Sequence, residues 1–234
     1  MAFAGLNPKH MSDLLVTHHH VDHMSDLGYL PLTAWVEGRT ERINIYGPPP
    51  MHATIDGLLQ GYAEDLAKRA EATGRHPFLP MVRVHEVTGG GVVFRDEEVE
   101  VEAAVVDHRP FEVALAYRIT ARGKSVVISG DTAVSPALIR LATGADVLVH
   151  EVVALEKLTG LREKVGAPTL GDYMKNNHTS LGDVAAIAQE AGVGMLVLSH
   201  LLPHDLPEEE WLRGAGDGFD GKIVVGADLM EIEV

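Results

Sequence analysis

Cysteine is absent from this chain of 234 residues. No disulfide and no thiolate metal site is therefore available, and nitrogen and oxygen ligands must hold any bound metal. Aromatic residues make up only 5% of the sequence, so the core must be built mainly from Val, Leu, Ile and Ala. No apolar run approaches membrane-spanning length and no signal peptide is visible. We therefore expect a cytoplasmic protein that does not contact a membrane.

Positive charge is also scarce. The chain has 19 Lys and Arg residues against 34 Asp and Glu residues, which gives a formal net charge of −15. This excess of negative charge disfavours a broad electrostatic grip on the phosphates of a nucleic acid. The composition therefore counts against nucleic acid as a partner.

The most informative segment is His18-His19-His20-Val21-Asp22-His23, which follows a strand-like run at residues 13–17. Alternate side chains of an extended chain share a face, so the first and third histidines point one way and His19 points the other. The acid and the fourth histidine follow where the strand ends. Imidazole and carboxylate groups suit Zn²⁺ and similar metals. The segment therefore predicts a metal site.

The hydrophobic pattern predicts an α/β chain in which strand and helix alternate after residue 136. A Gly-rich turn at residues 89–91 is typical of a hairpin. Strands are predicted at residues 13–17, 43–46, 82–87, 92–94, 99–106, 113–120, 125–129, 146–150, 195–199 and 222–225. Helices are predicted at residues 23–35, 51–72 (with a kink near Gly57 or Gly61), 136–141, 152–164, 179–191 and 208–213.

Four further ligand-type residues come directly after β-rich runs: His108, Asp131, His150 and His200. Strand ends are the usual place for sites in α/β sheets. A single histidine after an apolar strand is more often structural, but four such placements beside a histidine cluster favour one shared site. We expect His150 to support the site rather than bind metal, with a satisfied buried histidine as the alternative.

With these motifs, the chain resembles the metallo-β-lactamase superfamily, in its ribonuclease Z and arylsulfatase-like branch. The likeness is carried in order by residues 17–23, 106–109, 129–132, 150–151, 178–180 and 198–200. The resemblance implies two zinc ions. It assigns the first to His18, His20 and His108, the second to Asp22, His23 and His200, and a bridging position to Asp131.

The resemblance also implies catalytic roles for Asp22, His178 and Glu151. The histidine would assist the leaving group of an ester, and Glu151 would orient it. The alternative is that His178 is an ordinary residue on an exposed loop, although Thr179 or Ser180 could cap a helix that starts there. The implied activity is that of a dinuclear zinc hydrolase, in which a metal-bridging hydroxide cleaves a small phosphodiester or sulfate ester.

The implied fold is a single domain over residues 1–234, an αββα sandwich of the metallo-β-lactamase type. Only sixteen residues precede Thr17, where the family has several strands. We therefore expect a truncated chain that lacks the N-terminal strands of the first sheet. The Gly- and Lys-containing stretch at residues 160–177 is interpreted as an excursion that could act as a lid.

Only 23 positions separate His108 from Asp131, too few for the basic arm that ribonuclease Z enzymes carry in this interval. Together with the acidic charge, this favours a small-molecule ester substrate and the arylsulfatase-like group. Processing of tRNA 3′ ends is the first alternative, and a non-catalytic metal-binding fragment is the second. Because dimers are common in this family, a homodimer is also among the expectations.

Overall fold

The computed structural model describes residues 5–158, 166–216 and 218–234. The chain divides into two compact units, Met1–Thr88 and Gly89–Val234. Among the helices of these described residues, none combines the length and the apolar character needed to cross a membrane.

The first unit is built on a small parallel sheet with the strand order β1-β2-β3. Its central strand is largely buried, with Ile43 and Ile45 almost fully buried on one face and Tyr46 buried on the other. The strands are β1 (Asp13–Leu15), β2 (Ile43–Gly47) and β3 (Val82–Glu86), and the helices are α1 (Val21–Met24), α2 (Tyr29–Val36), α3 (Met51–Gly61) and α4 (Ala63–Thr73).

Two helices predicted in the first unit are each divided in two. Residues 25–28 form a turn between α1 and α2, because Gly28 begins the second helix as its N-cap. The kink predicted near Gly61 is confirmed as a break, since Tyr62 has a ψ of 1° and separates α3 from α4. The first break leaves α1 as a single short turn that begins directly after His20 and contains Asp22 and His23.

The second unit is built on a seven-stranded sheet with the order β10-β9-β8-β7-β6-β5-β4. The four strands from β7 to β10 are parallel to their neighbours in that group, whereas β4 to β7 form an antiparallel meander. The strands are β4 (Gly91–Arg95), β5 (Val99–Val106), β6 (Ala114–Ala121), β7 (Lys124–Ile128), β8 (Val147–Val153), β9 (Met195–Leu202) and β10 (Lys222–Val225).

The helices described in this unit are α5 (Pro136–Ala142), α6 (Leu170–Asn177), α7 (Val184–Ala191) and α8 (Glu208–Ala215). Three of them bury Leu138, Val184 and Trp211 in one cluster with Leu148 of β8 and Leu196 of β9. This packing covers the parallel half of the sheet, and it holds the strand ends that carry the ligand-type residues.

Several predictions of local structure in this unit are wrong. The glycines at 89–91 do not close a hairpin, because β3 pairs with β2 in one sheet and β4 pairs with β5 in another. The helix predicted at 152–164 is wrong at its start, since β8 continues to Val153. The excursion predicted at 160–177 ends as the helix α6, and residues 159–165 lie outside the described residues.

Candidate metal centre

The first unit gathers the four ligand-type residues of the histidine segment. His18 is fully buried, and its Nε2 lies 2.9 Å from Nδ1 of His20. The short helix α1 turns the chain back, so that the ring centroids of His18 and His23 are 4.1 Å apart. Asp22 Oδ2 lies 3.4 Å from His23 Nε2. Three imidazoles and a carboxylate therefore lie together.

His19 points away from this group, as predicted. Its Nε2 lies 2.8 Å from the backbone carbonyl oxygen of Pro48. This contact gives the ring a structural role, because a carbonyl oxygen only accepts and His19 must donate to it.

A second group of ligand-type residues forms in the second unit from Asp131, His178 and His200. One donor atom from each lies within 4.8 Å of the other two. Asp131 is buried, and its Oδ2 lies 3.7 Å from His200 Nε2. The rings of the two histidines are nearly parallel, with centroids 6.2 Å apart. Residues far apart in sequence therefore meet at the ends of β7 and β9.

His200 is the extra residue of a β-bulge. Ser199 pairs with Glu151 and Leu201 pairs with Val152, so His200 is the extra residue of β9 between these two pairs. Its φ of +46° lies in the left-handed region, which a non-glycine residue rarely adopts. Bulges turn a side chain in a new direction and are frequent beside active sites. Here the bulge directs the imidazole of His200 towards Asp131.

The loop after β7 places Asp131. Gly130 has a φ of +60°, a backbone conformation that glycine adopts readily. The turn at this residue brings the carboxylate of Asp131 back over the end of the sheet. The next residues tie this loop to its neighbours, because Ala133 N–H donates to the carbonyl of Asp107 at 2.8 Å. The same hydrogen bond fixes the start of the loop that carries His108.

His108 is buried, and a hydrogen bond settles which ring nitrogen carries its proton. Nδ1 lies 2.8 Å from the backbone carbonyl oxygen of Asn177, the last residue of α6. A carbonyl can only accept, so Nδ1 carries the hydrogen and Nε2 carries the lone pair. This is the arrangement that orients a metal-binding histidine. The hydroxyl of Tyr173, on the same helix, lies 3.4 Å from that Nε2.

Glu151 and His178 form a buried pair, with Oε1 3.0 Å from Nδ1. Oε1 also accepts the backbone N–H groups of Thr132 and Thr179, at 2.9 Å and 3.3 Å. Since this oxygen is an acceptor throughout, Nδ1 of His178 is the donor and its Nε2 is directed elsewhere. Burial, and next the charge of Asp131, raises the pKa of Glu151 well above its ordinary value.

The segment that carries His178 is joined to β8 by backbone hydrogen bonds. Val153 N–H donates to the carbonyl of Thr179, and Leu181 N–H donates to the carbonyl of Val153, both at 2.9 Å. Thr179 was one of two residues predicted to cap a helix at this point. Its hydroxyl does not do so and donates instead to the carbonyl of Thr132. α7 begins later, at Val184 after Asp183. His178 is buried, so the interpretation as an exposed loop residue is wrong.

His150 is fully buried next to this pair. Its Nδ1 lies 2.6 Å from the carbonyl oxygen of Glu151, and burial lowers the pKa of its imidazole to about 4. Among the described residues, none accepts from or donates to its Nε2. The ring is therefore neutral near pH 7, and the supporting role expected for it stays a prediction.

Comparison with known proteins gives the family. The Beta-lactamase superfamily domain matches residues 4–201 of the chain. A Ribonuclease Z of Mycobacterium sp. (strain KMS) is 37% identical over 241 residues, which cover all of this chain and 81% of the relative. The chain belongs to the metallo-β-lactamase superfamily, in its ribonuclease Z branch.

Two solved structures share the fold. The metallo-beta-lactamase fold protein YhfI from Bacillus subtilis matches with a TM-score of 0.68 and 20% identity, over 96% of this chain and 79% of that one. The short form of human tRNase Z matches with a TM-score of 0.65 and 19% identity, over 97% of this chain and 81% of that one. The α/β fold expected from the motifs is thus confirmed, and a metal-dependent hydrolase is the class that the superfamily supports.

The donor chemistry of this superfamily member fits a metal ion. Each unit presents imidazoles and a carboxylate in close groups, and a hydrogen bond orients His108 as metal-site histidines are usually oriented. Nitrogen and oxygen donors without thiolate suit zinc. The donor chemistry and the family therefore support the expectation of a metal cofactor.

The comparisons change the ranking of the expected activities. The relative carries the name Ribonuclease Z, which supports the alternative of tRNA processing better than an arylsulfatase-like activity. It also counts against the expectation that nucleic acid is an unlikely partner. That expectation rested on the net charge, which describes the average surface and not the surface near a site.

Sequence reasoning missed Tyr173 and Asn177. Both lie on α6, within the stretch that was interpreted as an excursion, and both contact His108. A usable signal was present: the two residues are four positions apart, on the same helical face, and His178 follows directly.

Proposed function

We propose that this chain is a zinc-dependent endoribonuclease that cleaves a phosphodiester bond of precursor tRNA at its 3′ end. The observation that carries the proposal is the buried Glu151–His178 pair, whose imidazole offers a nitrogen within 4.8 Å of ligand atoms of Asp131 and His200. A proton donor held beside metal ligands is what hydrolysis of an ester with a poor leaving group requires. The name of the Mycobacterium relative supplies the substrate class.

We propose further that the two groups of ligands act together on two zinc ions. His18, His20 and His108 would hold one ion, Asp22, His23 and His200 the other, and Asp131 both. When bound, zinc polarises a phosphoryl oxygen and lowers the pKa of water, so that hydroxide is available near pH 7. The side chains that support this assignment are those whose rings the structure already orients, His108 above all.

In this proposal His178 donates a proton to the leaving oxygen of the phosphodiester. Its Nδ1–H remains bonded to Glu151, so Nε2 is the atom that carries and delivers the proton. Burial raises the pKa of Glu151, and in its ionised form this carboxylate stabilises the imidazolium needed for this step. Thr132 and Thr179 hold the carboxylate through backbone N–H groups and thereby fix the direction of the imidazole.

A small phosphodiester is a second candidate substrate. The short interval between His108 and Asp131 favours it, because it leaves little room for the basic surface that a large RNA would need. The two candidate substrates have the same kind of scissile bond and differ in how much of the substrate the protein binds.

We also propose that the protein works in the cytoplasm and that it forms a homodimer. Size-exclusion chromatography with light scattering tests the homodimer.

The substrate proposal is tested with three substrates and one variant. Zinc-loaded protein is incubated with a precursor tRNA that carries a 3′ trailer, with bis-p-nitrophenyl phosphate and with p-nitrophenyl sulfate. We expect cleavage of the precursor at a single position, and loss of this activity in His178→Ala. Cleavage of the small phosphodiester alone would support the second candidate, and cleavage of the sulfate ester alone would contradict both.

A further inference from the structure

Helix α6 makes three separate contributions around His108. The carbonyl of Asn177 fixes the proton on Nδ1, the residue after the helix is His178, and the Tyr173 hydroxyl lies 3.4 Å from Nε2. The Tyr173 ring meets His178 and His108 nearly edge-on, with centroids 6.0 Å and 6.2 Å away. The phenol therefore lies beside the nitrogen that carries the lone pair of His108.

The position of Tyr173 is fixed by its own helix. Asn177 Nδ2 donates to the Tyr173 carbonyl at 2.9 Å, while the Asn177 carbonyl accepts from His108. Met174, the next residue, is buried and so ties this turn of the helix to the protein interior. The hydroxyl is thus delivered to the site by a rigid element, which is how a directional hydrogen bond is made useful.

Nε2 of His108 has a single lone pair, and this limits what the Tyr173 hydroxyl can do. At 3.4 Å the contact between hydroxyl and ring nitrogen is long for a hydrogen bond. A metal ion that takes the lone pair leaves the phenolic hydrogen directed at whatever acceptor occupies the site. The phosphate of a phosphodiester is anionic and accepts strongly.

We propose that Tyr173 donates a hydrogen bond to a non-bridging oxygen of the scissile phosphate and thereby helps to orient it. The inference rests on the proposed function, because it assigns a contact within the same site. It makes Tyr173 a substrate-binding residue, and it assigns no metal-ligand role to the phenol.

The test compares Tyr173→Phe with wild type and with Tyr29→Phe, a change at an exposed tyrosine of α2. Zinc affinity is measured by competition with a coloured chelator, and the binding of inorganic phosphate to zinc-loaded protein is measured by calorimetry. We expect Tyr173→Phe to bind zinc at least as tightly as wild type. Its dissociation constant for phosphate should rise about tenfold, and its kcat for bis-p-nitrophenyl phosphate should fall about tenfold, as for one lost charge-assisted hydrogen bond.

Three outcomes separate the inference from the proposed function. Loss of zinc in Tyr173→Phe would make the phenol a ligand and overturn the inference, as would phosphate binding and kcat within twofold of wild type. In either case, cleavage by the wild-type protein would leave the proposed function standing. If wild type cleaves no phosphodiester but Tyr173→Phe weakens phosphate binding, the contact is supported and the proposed function fails.

Discussion

Glu151 is the side chain on which the local order of the site depends most. One of its oxygens accepts from His178 and from two backbone N–H groups, and the residue is almost completely buried. A carboxylate in this position both orients the imidazole and stabilises its charged form. A glutamine at this position keeps the shape of the side chain and removes its charge. It therefore tests the effect on the charge of the imidazole separately from the effect on its orientation.

For Glu151→Gln we expect a fall in kcat of about a hundredfold, since general acid catalysis typically contributes that much or more. The amide oxygen can still accept from Thr132 and Thr179, so folding and zinc content should be close to wild type. Steady-state kinetics with bis-p-nitrophenyl phosphate and metal analysis measure these quantities. Glu190→Gln, at an exposed position of α7, is the matched control. A kcat for Glu151→Gln within threefold of wild type would remove Glu151 from the mechanism.

The buried His150 gives the fold a pH dependence. Its pKa falls from an ordinary 6.5 to about 4 because burial disfavours the charged ring. The folded state then binds fewer protons than the unfolded state between these values, so stability is complete above about pH 6.5 and is lost as the pH falls towards 4. From about pH 7 to about pH 5, the free energy of unfolding should fall by about 2 kcal/mol on this account.

Urea unfolding of metal-free protein at the two pH values measures this change in the free energy of unfolding. His150→Gln should lose most of the dependence, whereas His52→Gln, an exposed change on α3, should keep it. Equal pH dependence in wild type and His150→Gln would show that the ring is not neutral in the folded state.

Much of the site could be predicted at the scale of single residues. The segment from His18 to His23 has ligand spacing, and acids and histidines at strand ends mark Asp131 and His200. The bulge at His200 could not be predicted, because it depends on pairing with β8, which is distant in sequence. The partners of Glu151 could not be predicted either, since two of them are backbone groups.

At the scale of elements, strands with alternating or β-branched patterns were predicted well, and β5 and β10 match their predicted bounds. The helix predicted at 152–164 failed at its start because β8 is buried on both faces, so its sequence has no alternation and resembles a buried helix. α6 was missed because only Met174 and Asn177 of its eight residues are buried, which leaves a weak apolar pattern.

The segments that precede β8 and β9 pack so closely that one glycine between them should not tolerate a larger residue. A Cβ atom at Gly194, just before β9, would lie 2.8 Å from the backbone carbonyl oxygen of Asp146. Neither atom is on a flexible side chain, so Gly194→Ala should destabilise the protein by about 1–3 kcal/mol.

The contrasting change is Gly57→Ala on α3, where a Cβ atom would meet nothing within 4 Å. This variant should be more stable by up to about 1 kcal/mol, because alanine favours the helix over glycine. Urea denaturation of both variants tests the pair. A Gly194→Ala variant as stable as wild type would contradict the close approach of β9 to the segment before β8.

At the scale of the whole molecule, the account requires ligands from two distant parts of the sequence to serve one function. We expect about two zinc ions per chain in the wild-type protein. His18→Ala and His108→Ala should each lower this number and the activity, although the two residues belong to different units. The control is His52→Ala. Metal analysis after gel filtration measures the content, and full zinc content in His108→Ala would exclude that residue as a ligand.

The fold class and the superfamily could be predicted at this scale because several short motifs keep their order along the whole chain. The substrate class is not decided at this scale, because the net charge of −15 favours a small ester while the Mycobacterium relative carries the name Ribonuclease Z. Charge summed over a sequence cannot report the surface that a substrate meets.

The most direct test of the central claim is a crystal structure of the zinc-loaded protein, with anomalous diffraction recorded at the zinc edge. The account predicts two adjacent peaks, one within about 2.1 Å of His108 Nε2 and the other at the same distance from an imidazole nitrogen of His200, with Asp131 contacting both. Zinc peaks at other residues, with Asp131 and His200 making no contact to metal, would contradict it.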